Sequence, residues 1–226
     1  MIVSIHQPNL FPWLGYFDKM AKSDLFIFLD NVQFTKGGFQ NRVKVKGPNG
    51  PQWLTVPVKT KGRAYQMTND VEMNHQNDWK KKHLSTIESL YSGAINFESI
   101  FTRIKEVYKQ ENTLLVDFTT KGIQLIQSML EIKSNTLNAS LLNLDGNSSR
   151  LLVNLVKEVG GTVYLSGPSG KKYLDETMFK AENIRIEYHE FQEDVYPQKY
   201  NDFITGLTSL DYLFNKEVSN VEYMDI

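Results

Sequence analysis

The sequence predicts an α/β fold, Rossmann-like and doubly wound around a mainly parallel sheet, with an inserted β-hairpin and a helical cap. Three observations predict it. Short, continuous apolar runs at residues 2–5 and 25–29 suit strands covered on both faces. A helical stretch separates them, and the last third of the chain again alternates strand and helix patterns, as right-handed crossovers require. Residues 39–58 alternate polar and apolar around a turn, whereas residues 78–131 carry helical spacing.

Each element follows from its residues. The first strand leads into His6-Gln7-Pro8, and Pro12 opens a helix over 12–22, because proline in the first turn lacks only an N–H that has no helical partner there. Strand 25–29 completes a βαβ unit and leads into Asp30, Gln33, Lys36, Asn41 and Arg42. In the hairpin, residues 41–46 alternate, Gly47-Pro48-Asn49-Gly50 turns, and 53–58 alternate again. Residues 59–74 are polar and carry Gly62, a loop expected to order on ligand binding. Apolar spacing then runs through Leu84, Ile87, Leu90 and Tyr91, through Ile100, Phe101, Ile104 and Val107, and along 114–130, giving helices expected to cap the sheet. Strand 139–142, helix 148–159, strand 162–165, helix 171–181 and strand 184–188 finish the pattern. With neither an internal repeat nor a low-complexity linker, the 226 residues read as one domain.

Composition narrows the function. With 25 basic and 26 acidic residues the formal net charge is −1, so nothing draws the whole chain to nucleic acid or an anionic membrane. Any phosphate binding must be local. The absence of cysteine excludes disulfides, thiolate metal sites and a cysteine nucleophile, and fits a reducing compartment. No signal-peptide pattern and no apolar run of ~20 residues occurs, so the expected location is the cytoplasm. No His-x-x-x-His, paired-carboxylate or calcium-loop motif occurs, and no metal is predicted.

Open α/β sheets bind ligands outside the carboxyl ends of their strands. Three strands here end in capable residues: His6-Gln7, Asp30, and Ser166-Gly167-Pro168-Ser169-Gly170. The last turn lets backbone N–H groups approach a phosphate, although strand-to-helix loops use glycine routinely. His6 reads either as a proton carrier titrating near neutrality or as a structural histidine bonded to the Asp30 loop. Asp30 itself can orient His6, hold a sugar hydroxyl or a cation, or cap the loop before Gln33. Arg42 can clamp a phosphate bidentately, with Lys19 and Lys36 as further cations, the alternative for each being solvated surface. Trp13 and Trp53 can stack on a base or sugar, or belong to the core. His83 follows Lys80-Lys81-Lys82 on a helix and can face the cleft, the lysines being a solvated face.

These residues fall in a wider pattern. His6-Gln7-Pro8, Pro12-Trp13-Leu14-Gly15-Tyr16-Phe17-Asp18-Lys19, Asp24, Asp30, Val32-Gln33-Phe34, Asn41-Arg42 and Trp53-Leu54-Thr55-Val56-Pro57-Val58 belong to it. So do Tyr164-Leu165-Ser166-Gly167, Gly170, Tyr173-Leu174, Tyr196-Pro197-Gln198 and the run Ser209 to Asn215. On these residues, nearly the whole chain resembles the WbqC-like protein family. Proteins similar to this one are typically encoded among bacterial surface-polysaccharide or O-antigen genes, so the resemblance implies a role in making an unusual sugar. A weaker likeness points to the adenylyl-transferring superfamily that includes pantothenate synthetase. That superfamily uses a His-x-Gly-His motif, and here His6 is separated from Gly15 with no second histidine.

On the resemblance, the expected activity is transfer of an acyl or aminoacyl group to the amine of a nucleotide-linked sugar. His6 is then the base, Gln7 and Asn41 the oxyanion or carbonyl partners, and Asp30 the residue that orients His6 or holds the amine. Arg42, Lys19 and Lys36 meet the diphosphate and Trp53 stacks on base or sugar. Trp13, Tyr16, Gln33, His83, Ser166 and Gly167 complete the expected binding set. The partners expected are a small nucleotide sugar and an acyl or aminoacyl donor, with no sequence-specific nucleic acid, no membrane and a homodimer by default. The rivals are an ATP-dependent ligase or nucleotidyltransferase, and a non-catalytic protein that holds a sugar nucleotide or a partner.

Overall fold

The computed structural model describes residues 1–200 and 202–216. β1 (Ile2–His6), α1 (Leu14–Ala21) and β2 (Leu25–Phe28) make the expected βαβ opening. β3 (Arg42–Gly47) and β4 (Gly50–Thr55) form the antiparallel hairpin, with Gly47 opposite Gly50 at the turn. α2 (Trp79–Tyr91), α3 (Phe97–Lys109) and α4 (Leu115–Met129) occupy the helical section. β5 (Asn135–Asn138), α5 (Ser148–Glu158), β6 (Val163–Ser166), α6 (Glu176–Ala181) and β7 (Arg185–Tyr188) return to α/β, and α7 (Ser209–Asn215) follows.

The five sheet strands lie in the order β5-β2-β1-β6-β7, and every neighbouring pair is parallel. The chain moves from β1 outward to β2, reaches the edge at β5, and then crosses to β6 on the other side of β1. The winding therefore reverses between β1 and β6, the position at which such sheets open a crevice at their carboxyl ends.

Side-chain alternation sorts the two faces. Phe26 and Phe28 of β2 point into one core with Tyr16, Phe17 and Met20 of α1 and the apolar stripes of α2, α3, α4 and α7. Val3 and Ile5 of β1 and Ile27 of β2 point into the other, against Leu151, Leu152, Leu155 and Val156 of α5 and Phe179 of α6. Phe97, Ile100, Phe101, Ile104, Val107 and Tyr108 recur on one side of α3, as an amphipathic helix requires. Gly161 lets the turn into β6 pack closely on β1 and α5: a Cβ there would stand 2.7 Å from Val3 Cγ2 and 2.9 Å from the Val156 carbonyl oxygen.

Two elements differ from the sequence expectation. Residues 139–142 are a 3₁₀ turn, and the strand sits just before it as β5. The Ser140 N–H is taken by the Asp30 carboxylate at 2.8 Å, which turns the backbone out of the ladder at that point. The helix expected over 171–181 is split into a 3₁₀ segment, Pro168–Lys172, and α6, because Asp175 caps α6 by accepting from Thr177 N at 3.0 Å. Among the described residues no helix is long and apolar enough to cross a membrane.

Candidate functional site

β1 delivers His6 to the carboxyl edge of the sheet beside the switch point. Its ring rests on Tyr16, centroids 4.7 Å apart, and Tyr16 in turn is buried with its hydroxyl donating to the Gln7 carbonyl at 3.3 Å. His6 Nδ1 is buried without a hydrogen-bond partner among the described residues. Beneath it Lys19 is only 3% exposed, its Nζ donating to the Ile5 carbonyl at 3.1 Å and standing 5.5 Å from the Phe26 ring centroid. Burial lowers the Lys19 amine to about 7. Burial, and then the charge of Lys19, holds His6 well below its ordinary 6.5, so the imidazole is neutral at physiological pH.

Two cavities meet at this histidine. One, of about 350 Å³, lies at the carboxyl ends of β1 and β6 and is lined by His6, Gln7, Lys19, Ser148, Gly167, Ser169 and Tyr173, with Leu151, Leu152 and Tyr164 among its apolar walls. The other, of about 400 Å³, is lined by His6, Asn9, Leu10, Pro12, Trp13, Phe39, Val43, Gly206 and Leu207. The segment between β1 and α1 separates them and is tightly held. Phe11 adopts a φ of 37°, in the left-handed region, while its carbonyl accepts from Thr208 Oγ at 2.7 Å and Leu10 N donates to the Phe39 carbonyl. Gly15 is needed where it stands, since a Cβ there would run into the Trp13 ring and come within 2.9 Å of Phe191 Cδ1. Absence of that Cβ lets Trp13 fold back over the first turn of α1.

A family model described as the WbqC-like protein family matches residues 7–223. The chain belongs to the WbqC-like protein family. Membership fits a role related to polysaccharide biosynthesis. The chain is also 34% identical over 225 residues to the uncharacterized protein Rv1507c of Mycobacterium tuberculosis, a match covering 98% of this chain and 96% of the relative. No solved structure matches it.

In this WbqC-like chain the expected site residues divide into groups. His6, Gln7, Lys19 and Gly167 line the sheet-edge cavity, and Trp13 lines the apolar one. Ser166 is buried behind Gly167, to whose carbonyl its hydroxyl donates at 3.1 Å. Asp30 does not engage His6: its carboxylate accepts from Asn138 Nδ2, Ser140 N and Ser140 Oγ, which clamps the end of β2 to the end of β5. Asn41 spends its amide on the Val56 carbonyl at 3.0 Å, across the base of the hairpin, and lines neither cavity. His83 is a core residue rather than a cleft one, with Nε2 donating to the Thr55 carbonyl at 3.0 Å and Nδ1 accepting from Tyr108 at 3.1 Å. Its burial lowers it to about 4, which keeps that neutral tautomer. Gln33 and Lys36 line a separate hollow with Arg63, Tyr65 and Gln66 of the loop at 59–74.

Arg42 and Trp53 form a third group on the outer face of the hairpin. The Arg42 guanidinium carbon lies 4.2 Å from the Trp53 ring centroid, Lys44 Nζ lies 5.3 Å from it, and Phe39 touches the same ring at 5.8 Å. Sequence reasoning missed Phe39, Leu10, Val43 and Leu207, which build the apolar cavity from three separate segments. The one local signal was Phe39, an aromatic placed directly after Gly37-Gly38 in a loop. Among the described residues no group of three or more His, Asp and Glu is placed to hold a metal ion.

Proposed function

We propose that this protein is a transferase that forms an amide on the amino group of a nucleotide-linked sugar in surface-polysaccharide biosynthesis, by acyl or aminoacyl transfer. The observation that carries the reading is a neutral His6 that lines the sheet-edge cavity while its buried Nδ1 has no hydrogen-bond partner among the described residues. Acyl transfer to an amine needs a group that accepts the amine's proton as the new C–N bond forms and returns it to the departing group as its bond to the acyl carbon breaks. A neutral imidazole at the edge of a cleft does both. Gly167 and Ser169, in the turn after β6, supply the polar wall against which the phosphates of the sugar nucleotide rest. Lys19, buried against Ile5 and Phe26, acts on His6 from below, its charge adding to the burial that keeps the imidazole uncharged.

The test is direct. Purified protein is incubated with a dTDP- or UDP-linked amino sugar and an activated acyl donor, and the amide product is followed by mass spectrometry alongside calorimetric binding of the sugar nucleotide. His6→Ala is expected to cut turnover by about 10²–10⁴-fold while the sugar nucleotide still binds. Undiminished turnover in His6→Ala, or equal binding of the bare nucleotide and the amino-sugar nucleotide, overturns the assignment.

A further inference from the structure

The apolar cavity on the far side of His6 has an unusual combination of lining and rim. Its walls are mostly apolar, with Leu10, Pro12, Trp13, Phe39, Val43 and Leu207 joined by Asn9, Gly206 and His6, and Phe39 is 55% exposed and Trp13 40% exposed, so the apolar surface opens to solvent. Exposed aromatics that jointly line a concavity mark a binding site rather than scattered surface. The rim continues through Phe39 to Trp53, and Trp53 carries Arg42 at 4.2 Å and Lys44 at 5.3 Å. Neither cation has a carboxylate partner among the described residues, and Arg42 Nε is buried without a hydrogen-bond partner. Gly37, at a φ of 75°, packs beside the guanidinium, where a Cβ would stand in ordinary contact 3.7 Å from Arg42 Cζ. The ligand this surface fits has an apolar group at one end and anionic phosphates at the other.

We infer that this cavity is the donor site, and that it takes an apolar acyl group carried as a coenzyme A thioester, its chain among Trp13, Phe39 and Leu207 and its phosphates on Arg42 and Lys44. The inference rests on the acyl-transfer reading above and narrows it from acyl or aminoacyl to an apolar acyl group. Charged ammonium of an aminoacyl donor would be desolvated against hydrocarbon here, with no acidic side chain in the lining to receive it. His6 lines both cavities, which places the thioester carbon and the sugar amine on its two sides. The amine nitrogen attacks the thioester carbon, the C–N bond forms and the C–S bond breaks. The amine's proton passes through His6 to the departing thiolate, leaving an amide and free coenzyme A.

Binding without the sugar separates this inference from the reading on which it rests. Calorimetric titration compares octanoyl-coenzyme A, acetyl-coenzyme A, coenzyme A and octanoate. Octanoyl-coenzyme A is expected to bind at least about tenfold tighter than acetyl-coenzyme A, because several more methylenes leave water. Phe39→Ser, at an exposed position that leaves the fold intact, is expected to erase most of that chain-length preference. Arg42→Gln with Lys44→Gln is expected to weaken every coenzyme A species by a similar factor and to leave octanoate unchanged. Equal affinity for the octanoyl and acetyl thioesters, or a preference that survives Phe39→Ser, overturns the apolar acyl site. Octanoate binding as tightly as its thioester overturns the phosphate handle. If the thioester binds as expected but no sugar nucleotide is acylated, the acyl-transfer reading fails while the apolar site stands.

Discussion

Lys19→Met keeps the length and apolar body of the side chain and removes the buried amine, so it isolates what that amine does to stability. An unfolded lysine titrates near 10.5, whereas Lys19 in the folded chain titrates at about 7, because burial penalises its charged form. Between those values the unfolded chain binds more protons than the folded one. Stability must then rise with pH across this window, by up to about 1.4 kcal/mol per unit. Allowing for half-titration at the lower end, the gain from pH 7 to pH 9 is roughly 2 kcal/mol. Other tyrosines and lysines that titrate nearby are common to both proteins, and His6, held well below 6.5, is silent in this range. Loss of the bond to the Ile5 carbonyl shifts the comparison by a constant. The assay is urea unfolding of both proteins at pH 7, 8 and 9, read as wild type minus variant. That difference is expected to move toward the wild type by about 2 kcal/mol over the series. A difference flat to within about 0.5 kcal/mol would mean that Lys19 keeps an ordinary amine, charged throughout this range, and would refute its lowering by burial while leaving its charge beside His6 in place.

Two further substitutions test the frame around the site. Asp30→Ala leaves Asn138 Nδ2, Ser140 N and Ser140 Oγ without their shared acceptor in a largely buried position, and is expected to cost about 3 kcal/mol in urea unfolding. A loss below about 1 kcal/mol would count against the clamp between β2 and β5. Gly161→Ala forces a methyl against Val3 Cγ2 and the Val156 carbonyl and is expected to cost about 1–3 kcal/mol, with a lowered melting temperature as the check. An unchanged melting temperature would show that the turn into β6 yields at no expense.

The parts of this fold legible in the sequence were those whose pattern is local. Residues 2–5 and 25–29 announced buried strands because both of their faces are covered, and the hairpin announced itself through alternation around Gly47-Pro48-Asn49-Gly50. β5 hid because an edge strand needs few apolar residues: Asn135, Thr136 and Asn138 surround a lone Leu137. The stretch taken for a strand, Ala139 to Leu142, is held in its turn by Asp30, more than a hundred positions away in the chain. The same division runs through the site. His6, Gln7, Lys19 and Gly167 were visible from strand ends and from the helix after β1. The separation of Asp30 and Asn41 from His6, and the apolar cavity shared by Leu10, Phe39, Val43 and Leu207, arise from contacts across distant segments that no local pattern records.

The position of β1 has a consequence for how the chain is made. It is the middle strand of the sheet, yet one of its neighbours, β2, follows almost at once while the other, β6, begins only at Val163. A ribosome adding about 5–20 residues per second needs on the order of ten seconds or more to travel from one to the other. Throughout that interval the nascent chain holds a hydrophobic strand with an open edge, the kind of template on which neighbouring chains pair. The pairing of β1 with β6, at whose carboxyl ends the candidate chemistry sits, is thus made only late in synthesis. Slow translation, or crowding of nascent chains on one message, would expose this protein to misassembly before its crevice exists.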